Sequence, residues 1–175
     1  MKNIPEFPQQ TDLTIEHAPE FMAAVKAQGI RAAEFSIYYL TSWFYNRPAR
    51  ISRLGDRLVI DVEGKQGDHI FLGPFGSGPI KPALEKLLAH FKPDFNEEKV
   101  LHFLPQSLAE EVRQAIEPVR VEEHRDFFDY LYYREELADL SGRKFQKRRN
   151  QLNKIQRTHN PEIVPLKEGD QEHIF

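Results

Sequence analysis

Residues 49–78 read ARISRLGDRLVIDVEGKQGDHIFLGPFGSG, and their pattern sets the fold class. Two strand-like runs, 49–54 and 57–63, meet at Gly55-Asp56, a pair suited to the tight turn of a hairpin. In the second run Leu58, Ile60 and Val62 alternate with Val59, Asp61 and Glu63, which predicts one buried and one solvated face. A third short strand is expected over 69–72, and the glycine-rich turn 73–78 follows it. Residues 82–91 then place Leu84, Leu87, Leu88 and Phe91 on one face of a helix.

Upstream, residues 14–28 read as a helix stopped by Gly29. Residues 32–45 predict a second, aromatic-rich and largely buried helix that ends ahead of Pro48. Downstream, 99–104 predicts a strand, and Ser107 caps a helix to about residue 116 with Glu110 at capping-box spacing. Residues 119–133 read as strand-rich with a break at 124–126, and 135–140 as a short helix. A basic helix follows Gly142, then a strand over 162–166 and the first turn of a helix from Asp170. Strands alternating with helices, with hairpins among them, give an α/β chain of the α+β kind: a mixed sheet with flanking helices. The expected organisation is a domain over 1–141, a basic linking helix over 142–160, and the start of an incomplete second unit over 161–175.

Composition narrows the function classes. With 40% hydrophobic and 29% charged residues, the 175-residue chain has an ordinary globular profile. No apolar run reaches the roughly 18–20 residues of a membrane-spanning helix. Residues 1–10 are polar, with Pro5 and Pro8, unlike a secretory leader, so the cytoplasm is the expected location. The absence of cysteine excludes disulfides, thiolate metal sites and a cysteine nucleophile. The seven histidines show no spacing suited to a metal, and neither a G-x-S-x-G elbow nor a P-loop is present.

Charge is unevenly placed. Arg143, Lys144, Lys147, Arg148, Arg149, Lys154 and Arg157 stand together with no acidic residue among them, about +7 in all. The rest of a chain that is −3 overall therefore carries about −10. On a helical wheel Phe145, Leu152 and Ile155 form an apolar stripe, with Arg143, Lys147, Asn150, Lys154 and Arg157 opposite. Arg148 and Arg149 flank the apolar stripe. An inward arginine needs a carboxylate or a bound anion, so this pair predicts either internal ion pairs or an anion seat.

Two further features carry chemistry. Gly73-x-x-Gly76-x-Gly78 leads into a helix, and Gly76, Ser77 and Gly78 are candidates for a phosphate-holding loop. The same glycines also fit a plain strand-to-helix turn, and Pro79 and Pro82 remove donors from the helix start. In residues 126–133 carboxylates alternate with aromatics, leaving Asp126 and Asp129 to pair with the arginines or to act as a base.

Phe128-Asp129-Tyr130-Leu131-Tyr132, then Leu137, Leu140, Gly142-Arg143-Lys144-Phe145, Lys147-Arg148-Arg149-Asn150 and Asn153, resembles the signature of the phosphatidylglycerol lysyltransferase C-terminal family. The resemblance implies two tandem acetyltransferase-like domains joined by the basic helix, of which this chain is the N-terminal half. It also implies an aminoacyl- or acyltransferase, with aminoacyl-tRNA or acyl-CoA as donor and a phospholipid head group, tRNA or nucleotide as anionic partner. Site positions carried over are Lys144, Lys147, Arg148, Arg149, Asn150 and Asn153; no catalytic residue follows from it. Gln146 and Gln151 stand where histidines are common in the family. The alternative reading is a non-catalytic module for RNA, an acidic membrane surface or a protein partner. Under both, attachment at the membrane periphery and self-association through an exposed edge are expectations.

Overall fold

The computed structural model describes residues 3–43, 48–63, 69–91, 101–165, 167 and 169–170. They form two compact units, Met1–Asp129 and Tyr130–Phe175. The division falls earlier than the 141/142 boundary expected from Gly142, so the aromatic segment from Tyr130 joins the basic helix.

The first unit is built on an antiparallel four-stranded sheet in the order β1-β2-β3-β4. Its strands are β1 (Thr11–Asp12), β2 (Arg50–Leu54), β3 (Arg57–Glu63) and β4 (His69–Phe75). The β2–β3 hairpin turns at Gly55-Asp56 and pairs Leu54 with Arg57, as its sequence predicts. β4 runs further than expected, through Gly73 and Pro74 to Phe75, with a register shift between Leu58 and Ile60 opposite it. Of the expected 99–104 strand, Leu101 makes a single parallel bridge to Phe71; residues 99 and 100 lie outside the described residues. The class is α+β, and the named strands pair only in antiparallel fashion.

Helices flank the sheet: α1 (Ala18–Ala27), α2 (Ile37–Trp43), α3 (Ile80–Phe91) and α4 (Gln106–Ala115). One face packs Leu58, Ile60 and Val62 against Phe21, Val25 and Ile37. The other joins Val59 and Phe71 to Phe7, Leu54, Ala83 and Leu87. β3 is therefore buried on both faces, not one. Each large apolar side chain fully removed from water contributes about 1.5–3 kcal/mol, so double coverage makes β3 the centre of the core.

The polar letters of β3 misled because distant segments supply their partners. Arg57, 2% exposed, donates to the carbonyls of Gly78 (2.6 Å) and Pro74 (3.1 Å) and to the Glu111 carboxylate of α4. Asp61, 4% exposed, accepts from the Gln10 amide at 2.9 Å and faces His69 Nδ1 at 3.0 Å. These bonds remove the desolvation cost that would otherwise expel both groups. The N-terminal segment is tied down as well: Lys86 Nζ donates to Glu6 at 2.7 Å and holds its carboxyl below the usual carboxylate range.

Three other expectations are corrected. α4 begins at Gln106, so Ser107 is inside it and does not cap it, and Gln106 Nε2 instead reaches Glu110 at 3.0 Å. Residues 119–133 hold no strand: the chain there is irregular around one 3₁₀ turn, Arg125–Phe127. Residues 162–165 are likewise irregular, with Ile163 and Val164 exposed; residue 166 is outside the described set. Aromatic and branched residues favour strands, but a strand also needs a neighbouring ladder, and among the described residues none is paired with these segments. The helix expected from Asp170 falls on residues outside the described set from 171 onward.

Candidate anion-binding helix

The second unit is organised by α5 (Arg134–Asp139), a 3₁₀ turn at Arg143–Phe145, and α6 (Gln146–His159). α5 stops where Leu140 enters the left-handed region, and Asn160 ends α6 the same way. α6 has 14 residues, about 21 Å at the usual rise, and residues 143–160 include no acidic side chain.

Phe145 is the buried anchor of this unit, 3% exposed. Around it the basic residues divide by partner. Lys144 pairs with Glu136 at 2.5 Å and lies 5.0 Å above the Phe145 ring. The Arg148 guanidinium stacks 4.6 Å above the Tyr132 ring and donates to the Tyr132 hydroxyl at 3.0 Å. Arg149, half-buried, donates to the carbonyls of Leu140 and Gly142, the latter at 2.8 Å, and so ties the end of α5 to the start of α6.

Arg148 is exposed rather than inward and Arg149 is half-buried, and neither meets a carboxylate among the described residues, which corrects the expectation of inward-facing ion pairs. Asp129 instead accepts the Ala33 N–H at 3.0 Å within the first unit. Carbonyls and an aromatic face hold a guanidinium without neutralising it. Among the described residues, Arg148 and Arg149 therefore have neutral partners and no counter-ion. Tyr132 stands in the quoted motif, but its support of Arg148 from an irregular segment is not indicated by the strand expected over 119–133.

Lys147, Lys154 and Arg157 are exposed, with no ion pair among the described residues, and Asn150 lies among them. Steps of three, four and three residues set Lys147, Asn150, Lys154 and Arg157 along one side of α6 for about 15 Å. Asn153 is also exposed. Leu152 and Ile155 are exposed too, so the apolar stripe is not sealed beyond Phe145.

The glycine loop belongs to the first unit. A β-carbon on Gly76 would lie 2.8 Å from the Asp56 carbonyl, and one on Gly78 2.7 Å from Asp56 Cβ. The room that glycine leaves is taken by the β2–β3 turn, and the Gly78 carbonyl is engaged by Arg57. No described trio of His, Asp or Glu is placed to hold a metal ion, and no described helix is long and apolar enough to cross a membrane.

Residues 28–174 match the family model described as phosphatidylglycerol lysyltransferase, C-terminal. The chain belongs to that family. The match runs through both units and includes all of α6. Among solved structures, this family member is similar to a conserved protein of unknown function from Bacteroides thetaiotaomicron, with a TM-score of 0.77 at 24% identity. That likeness, a likeness of fold alone, covers 94% of this chain and 55% of the other, so the family member spans about half its neighbour's length. No curated protein matches it.

Proposed function

We propose that this chain is part of an aminoacyltransferase and that α6 holds the phosphate backbone of an aminoacyl-tRNA donor. The carrying observation is the line of Lys147, Asn150, Lys154 and Arg157, with Arg148 and Arg149 on the other side of the same helix, in a segment free of acidic residues. A stripe of about 15 Å is longer than one phosphate needs and suits a run of them. Lys144, Lys147, Arg148, Arg149, Asn150 and Asn153 divide the work. Arg149 and Lys144 fix the helix start, Arg148 presents a stacked guanidinium, and Lys147, Asn150 and Asn153 reach the ligand.

On this reading the first unit is acetyltransferase-like and the protein works in the cytoplasm, where charged tRNA is met. The loop at Gly76, Ser77 and Gly78 is then a turn supporting β3, and acyl-CoA is the less favoured donor because Asp56 lies against the loop. The test is tRNA binding by the full chain across salt. Three to four phosphate contacts predict a log–log slope of about −3 and a loss of roughly 60-fold between 50 and 200 mM salt. Exposed Leu152 and Ile155 favour a second reading, in which α6 lies on an acidic membrane surface. Binding to phosphatidylglycerol vesicles but not to tRNA would select it.

A further inference from the structure

A cavity of about 1100 Å³ opens in the first unit between α3, α4 and the irregular chain that follows α4. Ligand cavities commonly run to about 1,000 Å³, so this one is roomy for a small molecule. Its walls are mainly apolar, with Phe35, Leu84, Leu88, Leu101 and Val112 among them. Phe103 and Phe127 also line it, edge to face with centroids 4.7 Å apart, and both are exposed.

Two features of the wall are energetically costly. Phe103 takes a φ of 54°, a left-handed conformation unfavourable for an aromatic residue. Its neighbour His102, also in the lining, has a buried Nε2 without a hydrogen-bond partner among the described residues. A buried ring nitrogen seldom stays unpaired, and strained backbone gathers where ligands are held. The charged groups argue against an anionic occupant: Glu34, Glu110, Glu122 and Glu123 outnumber Arg113 and Arg120. Arg120 is already bound to Glu122 at 2.6 Å.

We propose that this cavity binds an uncharged amphiphile, with an aliphatic or aromatic body against Leu84, Leu88 and Val112 and one hydroxyl or carbonyl hydrogen-bonded to His102 Nε2. The site belongs to the first unit, and the proposal does not depend on what α6 holds.

Nile red titrated into the full chain, then displaced by 1-decanol, sodium decanoate or decylammonium, tests it. Saturation at one dye per chain is expected, with 1-decanol about tenfold more effective than either charged analogue. Leu88→Trp, which fills the cavity, lowers dye affinity about tenfold; if it does not fold by circular dichroism, Ala109→Phe in α4 carries the same expectation. His102→Phe keeps the dye but weakens 1-decanol about fivefold. No saturable dye binding, unchanged binding in the filled variant, or either decanoate or decylammonium competing better than 1-decanol overturns the proposal.

Discussion

Arg57 offers the sharpest stability prediction, because its side chain is 3% exposed and joins three segments at once. It holds the carbonyls of Pro74 and Gly78 at the end of β4 and the Glu111 carboxylate of α4, which also receives the Gln28 amide at 3.3 Å. Arg57→Met keeps the packing length and removes every donor. Glu111, 38% exposed, can turn to water, so its charge is not stranded. The two carbonyls are less free to do so. Losing their charge-assisted bonds and the carboxylate pairing costs about 3 kcal/mol in all, below the sum of the separate bonds because the site relaxes. For a domain of this size that is roughly 8–11 °C in Tm. Glu111→Gln retains a weaker acceptor and costs about 1 kcal/mol. Urea unfolding followed by circular dichroism measures both, and in the double variant the losses should be less than additive. A loss below about 1 kcal/mol in Arg57→Met would refute the claim that this arginine fastens the glycine turn to α4.

Other expectations can be checked with the same chain. Gly76→Ala forces a β-carbon against the Asp56 carbonyl at a φ of 133°, so it should destabilise by about 2 kcal/mol, seen as a lowered urea midpoint. Burial, then the nearby Glu34 and Asp129 carboxylates, raise the Tyr39 phenol above its ordinary value of 10.0. Folding favours the protonated phenol, so that contribution is intact below about pH 10 and is lost as pH rises through the higher folded value; Tyr39→Phe should flatten the alkaline loss in a pH–Tm scan. Tyr132→Leu removes the platform and hydroxyl partner of Arg148, and tRNA affinity should fall about three- to fivefold by filter binding with α6 still helical.

The central hairpin was readable because Gly55-Asp56 admits few other turns and the runs beside it are strongly β-favouring. α6 was readable from Phe145, the charge block and the absence of breakers before Pro161. Burial of β3 on both faces was hidden, since Asp61 satisfies itself through Gln10 and His69, and no local pattern announces a partner that far away. Likewise Phe127 to Tyr133 carries strand-forming letters, but pairing decides a strand and letters alone do not. Within the candidate site Lys144, Lys147, Arg148, Arg149, Asn150 and Asn153 came from the family resemblance, and only the basic helix that carries them was legible from periodicity. Their partners were not legible: a phenol ring for Arg148 and main-chain oxygens for Arg149 depend on how the preceding segment folds back.

The most direct measurement is the salt dependence of tRNA binding in the intact chain and in a variant with Lys147, Lys154 and Arg157 all changed to alanine. The account predicts a log–log slope of about −3 that falls towards zero in the variant, with circular dichroism unchanged. An intact chain whose binding ignores salt, or a variant that keeps the full slope, would contradict it.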